Sequence, residues 1–314
     1  MKRFSAMVFC TLVLLSSFGL AYADDPIAIS AKGVCVMDAD TGKVIISRNA
    51  DLRLPPASCT KVMTAIVTLE RAKMTDTFRV SPRAATMSPS KVYLKPGDQV
   101  TVEALLYSLL LKSANDSASV LAEGVAGTEL EFARMMTEKA HQLGAVDTNF
   151  SNASGLPVAD HYTTAYDLAL ILRYAMHDER FMAIASTKFA TLNMGEKEKT
   201  LLKNHNKLLW FYDGAGAGKT GYTLAAKHCY VGEANCSNTR LIVAILHSSD
   251  LWGDTKKLLD EGFQLAMNNQ TLALADVKGG DSYIQKASYK TYERVHRHSR
   301  RRHSRKHRRH HRTY

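Results

Sequence analysis

The apolar positions of this 314-residue chain change period several times. Over residues 33–47, GVCVMDADTGKVIIS, two β-rich runs flank Asp40-Thr41-Gly42, which predicts a hairpin. Over residues 61–72 the spacing turns helical. Val62, Ala65, Ile66 and Leu69 recur at i, i+3, i+4 and i+7, a single stripe to be buried. Pro55-Pro56 stops any helix ahead of it. Residues 101–111 predict a second, very apolar helix, and Ser113-Ala114-Asn115 follows it directly. Further helices are expected over 129–143, ended by Gly144, over 164–176, and over 254–267 as the closing helix. Residues 241–246 read as a buried strand. Strands near both ends with helices between them predict an α+β domain whose two ends meet in one sheet. No internal repeat is visible.

Composition changes this picture mainly at the ends. Lys2 and Arg3, an apolar stretch over residues 6–20 and the A-x-A site Ala21-Tyr22-Ala23 make a secretory signal peptide over residues 1–23. The protein is therefore expected to be exported and to work in the periplasm or the cell wall, or peripherally on the outer face of the cytoplasmic membrane. At the other end, residues 286–314 hold 12 of the 41 lysines and arginines, one acid, Glu293, and six histidines. Their net charge of +11 equals that of the whole chain, so the remainder is neutral. Such a run cannot bury apolar area and is expected to be disordered, within a linker and tail over 273–314. Arg300, Arg301, Arg302, Arg305, Lys306, Arg308 and Arg309 would bind an anionic wall polymer or membrane surface, with no specific nucleic acid expected, and salt would weaken that binding. Cys35, Cys59, Cys229 and Cys236 follow the signal segment. Their spacing fits no zinc pattern. They read either as small buried residues or as bridge partners, for instance Cys229–Cys236 across a hairpin.

The stretch FYDGAGAGKTGYT, residues 211–223, resembles a phosphate-binding loop. That motif needs glycine at position 213, where this chain has Asp213, whose carboxylate would face the phosphate charge. A second chemistry fits better. Ser58-Cys59-Thr60-Lys61 opens the first long helix, and residues at i and i+3 share a helix face. A serine hydroxyl and a lysine amine so placed can hydrogen-bond, and a desolvated lysine with a lowered pKa can act as base. S-x-x-K alone is a weak signal. Ser113-Ala114-Asn115 and Lys219-Thr220-Gly221 complete the ordered set S-x-x-K, S-x-N, K-T-G of penicillin-binding proteins and serine β-lactamases.

With these motifs the chain resembles the low-molecular-mass penicillin-binding proteins, the serine D-alanyl-D-alanine carboxypeptidases, over about residues 31–263. The resemblance is carried by VMDADTGKVIISRNADLRLPPASCTKVMTAIVTLE, LLKSANDSASVLAE, FSNASGLPVADHYTTAYDLALILRYAM, NHNKLLWFYDGAGAGKTGYT and KKLLDEGF. It implies a β-lactamase/transpeptidase-like α+β fold over 24–272, with an antiparallel sheet flanked by helices and a mostly helical subdomain. It implies Ser58 as nucleophile on a peptidoglycan stem peptide, Lys61 as its base, Ser113 as proton relay and Asn115 as a grip on the acyl-side peptide. Lys219 would supply charge and Thr220 would bind the terminal carboxylate. Gly221 and Tyr222 would line the substrate strand, with the N–H groups of Ser58 and Tyr222 as oxyanion hole. β-Lactam antibiotics would acylate Ser58. No metal or other cofactor is implied.

The chain departs from the family pattern in places. Leu251 stands where the family carries an arginine that grips the terminal carboxylate. Lys227 stands where Ala-Gly-x-Cys has its glycine. The segment after Phe263 is too short for a β-rich second domain plus an amphipathic anchor. A D,D-endopeptidase therefore remains the nearest rival. A β-lactamase fits less well, since no E-x-x-L-N stretch supplies the deacylating glutamate of class A enzymes. A non-catalytic anion-binding protein driven by the tail is the reading from another class.

Overall fold

The computed structural model describes residues 27–195 and 199–274. The signal segment and the basic residues of the tail lie outside them.

The chain enters through a hairpin, β1 (Gly33–Asp38) and β2 (Val44–Arg48). Its turn is fixed locally: Asp38 Oδ1 accepts the Thr41 N–H at 2.7 Å and the Thr41 hydroxyl at 2.6 Å, while Gly42 adopts φ 77°. A 3-10 turn over Ala57–Thr60 leads into α1 (Lys61–Arg71). A small β3 (Thr77–Arg79)–β4 (Gln99–Thr101) pair encloses the short α2 (Pro82–Ala85). Then come α3 (Val102–Leu111), α4 (Asn115–Ala126), α5 (Glu129–Gln142), α6 (Ala165–Ala175) and α7 (Glu179–Ala185). The β5 (Phe189–Leu192)–β6 (Thr200–Lys203) hairpin and α8 (Leu208–Phe211) follow. Last come β7 (Ala215–Thr223), β8 (Lys227–Cys236), β9 (Thr239–Ser248), α9 (Leu251–Met267) and β10 (Leu272–Ala273).

Helix starts follow side-chain caps. Thr101, Thr128 and Thr164 each accept the N–H three residues on, so the expected helices begin one residue after the threonine or at Glu129. The closing helix starts three residues earlier than its apolar pattern, because Asp250 Oδ1 caps the Gly253 N–H at 3.2 Å. Helix α4 was not legible in advance: its small polar start, Asn-Asp-Ser-Ala-Ser, masks a helix buried on nearly all sides.

Six strands form the main sheet in the order β10-β2-β1-β9-β8-β7, antiparallel except for the β10–β2 pair. The hairpin from the chain's start thus lies beside β9 from its end, as the sequence suggested. Buried Asp254 on α9 reinforces the join, accepting Ser30 N at 2.9 Å and Ser30 Oγ at 2.7 Å. Alternation along the strands splits the core in two. Val34, Val36, Tyr230 and Ile245 face α9 with Leu258 and Phe263. Cys35, Met37, Val231 and Ala244 face the helical subdomain with Val62, Leu105 and Leu121. Each large apolar side chain buried there contributes about 1.5–3 kcal/mol.

One expectation needs correction. Cys229 and Cys236 are not partners across a hairpin: both sit on β8, one buried and one exposed, and all four described cysteines are free. A strand rises about 3.3 Å per residue, which carries them well past the about 6 Å Cα separation of a disulfide. Leu251 is buried in the α9-facing core, on the opposite side of the sheet from the Ser58 turn.

Candidate active site

Ser58 sits in the 3-10 turn, directly after Ala57, whose φ of 48° is strained for a residue with a Cβ. Surrounding groups hold the turn. Thr60 Oγ1 donates to Ala57 O at 2.8 Å, and His161 Nε2 lies 2.8 Å from the same hydroxyl oxygen. His161 Nδ1 accepts the Ser151 N–H at 3.1 Å, so Nε2 carries the proton and donates to Thr60. Burial, and then the Lys61 charge, pushes His161 down to about 3, so it stays neutral. Gly155, at φ 79°, lets its loop pass so close that a Cβ there would stand 1.9 Å from Ala57 O.

Lys61 begins α1 and is fully buried. Its Nζ lies 2.9 Å from Ser58 Oγ and donates to Asn115 Oδ1 at 2.7 Å and to the Ser154 carbonyl at 2.5 Å. Burial first, and then the neighbouring Lys219 charge, holds its pKa well below the ordinary ammonium value. A neutral amine has two N–H groups and one lone pair. The two acceptors take the N–H groups, and the lone pair is left for the Ser58 proton.

Ser113 lies in the loop between α3 and α4 at φ 58°, a second strained residue at the same site. Its Oγ accepts from Lys219 Nζ at 2.9 Å, and Lys219 also donates to Thr220 O at 2.7 Å. Lys219 is pushed down to about 8 by burial. Asn115 is anchored by Nδ2 donating to Ser88 O at 2.9 Å. Its neighbour Asp116 is a structural clamp: the buried carboxylate accepts the N–H groups of Val92, Leu94 and Ser117 at 3.0–3.2 Å.

Strand β7 carries Lys219, Thr220, Gly221 and Tyr222 and is an edge of the sheet. Gly221 is where that strand meets the Ser58 turn: a Cβ there would lie 2.8 Å from Pro56 O and 2.9 Å from Ser58 N. Glycine at this position brings the Ser58 N–H and the Tyr222 backbone to one place. Tyr222 is exposed, and its ring packs 4.6 Å from His228. With Leu251 on the far side of the sheet, the cations that His205 feels at this end of the cleft are Lys219 and Lys112. His205 is pushed down to about 4 by burial, then Lys219 and Lys112.

All five residues singled out as reacting groups thus come together, from the Ser58 turn, the start of α1, the α3–α4 loop, the start of α4 and β7. The tail arginines Arg300 to Arg309 lie outside the described residues. The sequence did not single out Ser154, Asn152, His161 or Gly155. Ser154 contributes only its carbonyl. Asn152 Oδ1 aims that carbonyl by accepting the N–H groups of Ser154 and Gly155 at 3.1 and 2.7 Å. The turn-forming run Ser-Asn-Ala-Ser-Gly was the available signal. Among the described residues, no cluster of three or more metal-ligating side chains is present, and no helix is long and apolar enough to cross a membrane.

A family model described as D-alanyl-D-alanine carboxypeptidase matches residues 21–250. The D-alanyl-D-alanine carboxypeptidase DacF of Bacillus subtilis is 34% identical over 300 residues, covering 89% of this chain and 77% of its own length. DacB2 of Mycobacterium tuberculosis, with the same description, is 35% identical over 238 residues, covering 73% and 81%. Among solved structures, a D-alanyl-D-alanine carboxypeptidase from Mycobacterium tuberculosis H37Rv aligns with a TM-score of 0.73 at 33% identity, over 78% of this chain and 95% of that one. The Streptomyces K15 DD-transpeptidase aligns with a TM-score of 0.72 at 30% identity, over 76% and 99%. The fold, the three motifs and these matches agree: the chain belongs to the D-alanyl-D-alanine carboxypeptidase family, the low-molecular-mass penicillin-binding proteins.

Proposed function

We propose that the protein is a serine D,D-carboxypeptidase that removes the terminal D-alanine from peptidoglycan stem pentapeptides. The observation that carries this reading is the buried, low-pKa Lys61 amine 2.9 Å from Ser58 Oγ, beside the Ser113–Lys219 pair. The substrate lies along the free edge of β7, extending the sheet by a strand. Lys61 takes the Ser58 proton as Oγ attacks the carbonyl of the penultimate D-alanine. The N–H groups of Ser58 and Tyr222 receive the developing oxyanion, a contribution of about 3 kcal/mol for each such donor. Ser113 passes a proton to the leaving amine while Lys219 holds its hydroxyl, and the proton taken up by Lys61 restores Ser113. Asn115 fixes the acyl-side peptide, Thr220 and Lys219 bind the terminal carboxylate, and Gly221 keeps the strand close. Water then attacks the Ser58 ester, giving a proton to Lys61, and Lys61 passes that proton to the departing Ser58 Oγ. β-Lactams follow the first half of this course.

The sequence supports export and a domain over 24–272. The basic tail adds a salt-sensitive hold on an anionic wall polymer or the membrane surface. A D,D-endopeptidase is favoured by one observation, the position of Leu251, which leaves the terminal carboxylate with fewer charged partners. Offering the protein monomeric pentapeptides and cross-linked dimers, with Ser58→Ala as control, separates the two readings. Loss of one alanine from the monomer is the expected result. Cleavage of dimers alone would transfer the assignment to the rival.

A further inference from the structure

One buried titratable group beside the site has no part in the reaction steps above. His161 is only 6% exposed, in the segment between Gly155 and the Leu54–Thr163 bridge, and Phe150 meets its ring edge-on. Both of its nitrogens are committed. Nδ1 accepts the Ser151 N–H at 3.1 Å, and Nε2 lies 2.8 Å from Thr60 Oγ1. An imidazole that accepts at Nδ1 keeps its proton at Nε2, so the ring donates to Thr60. Burial and the Lys61 charge favour the same neutral form. That donation fixes the hydroxyl. With one proton arriving at Oγ1 from the ring, the Thr60 O–H turns to its other neighbour, the Ala57 carbonyl, at 2.8 Å.

The Ala57 carbonyl is the other end of the peptide unit that carries the Ser58 N–H. That unit is trans, so its C=O and N–H share one plane and point in opposite directions. Turning the carbonyl turns the N–H by the same angle. The plane is held in a conformation it would otherwise leave, since Ala57 stands at φ 48°. Gly155 closes on the carbonyl end, where a Cβ would stand 1.9 Å from Ala57 O and 2.8 Å from Thr60 Oγ1. Gly221 of β7 closes on the N–H end, where a Cβ would stand 2.9 Å from Ser58 N. To these close approaches Thr60 adds a directional bond. The Nδ1 side reaches the other way. Ser151 opens the turn whose Ser154 carbonyl accepts from Lys61 Nζ, so one ring ties the acceptor of the base to the peptide unit of the nucleophile.

We propose that His161 is a positioning residue for the oxyanion hole: through Thr60 and the Ala57 carbonyl it aims the Ser58 N–H at the developing oxyanion. The proposal rests on the Ser58 acyl-enzyme reading and deepens it. His161 meets no reacting atom and moves no proton. Without its N–H the Thr60 hydroxyl is free to rotate, and the Ala57–Ser58 plane relaxes away from φ 48°. The loss falls on the transition state, where charge gathers on the carbonyl oxygen, and not on the initial complex.

The test separates the two ring nitrogens. His161→Gln places an amide N–H near the position of Nε2 and still donates to Thr60, whereas His161→Asn is one methylene shorter and reaches only the position of Nδ1. Stopped-flow acylation by a penicillin gives the initial dissociation constant and the acylation rate constant separately. His161→Asn and Thr60→Val should each lower the rate constant about tenfold, the worth of one hydrogen bond, with the dissociation constant little changed. His161→Gln and Thr60→Ser should recover most of that loss. The double variant His161→Asn/Thr60→Val should be no slower than either single one, because both act through the same bond. The ester carbonyl stretch of the acyl-enzyme should move to higher frequency in the slow variants, as its hydrogen bond weakens. Melting temperature reports that each variant is folded; if His161→Asn does not fold, Thr60→Val against Thr60→Ser carries the test. An unaffected rate constant, losses that add in the double variant, or an unshifted carbonyl band would overturn the proposal. A wild-type protein that penicillin does not acylate would defeat the acyl-enzyme reading and the proposal with it. Normal acylation without release of D-alanine would defeat the carboxypeptidase assignment alone, and the positioning role is then decided on penicillin.

Discussion

The reactivity of Ser58 depends on a lysine that burial pushes towards its neutral form, beside another lysine whose charge the site uses. Desolvation lowers both, Lys219 to about 8 and Lys61 well below its ordinary value. At Lys61 this favours the neutral amine, the form that can take the Ser58 proton. Lys219 loses its proton as pH rises through about 8, and kcat/KM should fall about tenfold per pH unit above that point. Its effect on stability has the opposite sign. The unfolded chain binds more protons than the folded one between about 8 and the ordinary lysine value of 10.5, so this group adds stability as pH rises there. A pH–rate profile read alongside melting temperature checks both signs; activity and stability falling together above pH 8 would count against the assignment. The Ser154 carbonyl matters at the same scale. Asn152→Ala removes the acceptor for two N–H groups of that turn, and acylation by penicillin should slow by about tenfold for a lost hydrogen bond of roughly 1–1.5 kcal/mol. An unchanged rate would make Asn152 incidental. The reacting side chains were legible because Ser, Lys and Asn carry their chemistry in their identity. The Ser154 carbonyl was not, since any residue has one and only the fold aims it.

Elements meet here through glycines and tolerate one residue that should have been a glycine. Gly221→Ala puts a methyl within 3.0 Å of Pro56 O, Ser58 N and Ala57 Cβ. The Ser58 turn must then move from β7, and acylation should drop by about two orders of magnitude, the effect of losing one oxyanion donor. A folded variant that acylates normally would show that the Tyr222 and Ser58 N–H groups do not act together. Lys227 holds φ 55°, a backbone conformation that suits glycine better than a residue with a Cβ. Lys227→Gly relieves a strain of roughly 1 kcal/mol, partly offset by the greater freedom of glycine when unfolded. A small rise in melting temperature is expected, and a clear fall would deny the strain. At this scale the sequence showed long amphipathic helices well, because periodicity reports burial of one face. It missed α4, which is buried on nearly all sides and so has no polar face to set a period. It also placed the start of α9 late, since Asp250 caps the helix ahead of its apolar pattern.

At the scale of the whole molecule, the first and last strands close one sheet, and the site sits on the edge strand farthest from that closure. The match of both ends was readable from strands at the two termini, while the strand order was not, because β pairing depends on contacts distant in sequence. Removing residues 275–314 spares every element of the sheet and the site. The shortened protein should keep its kcat/KM on a soluble pentapeptide and lose salt-sensitive binding to anionic vesicles; loss of turnover instead would place the tail in the catalytic unit. The central claim is that Ser58 forms a covalent acyl-enzyme on the path to releasing D-alanine. Its most direct test is the intact mass of the protein after brief exposure to penicillin, together with D-alanine released from a pentapeptide, in the wild type and in Ser58→Ala. One added penicillin on a peptide containing Ser58, and alanine release in the wild type alone, is the expected result. No adduct in the wild type, or alanine release that persists in Ser58→Ala, would contradict it.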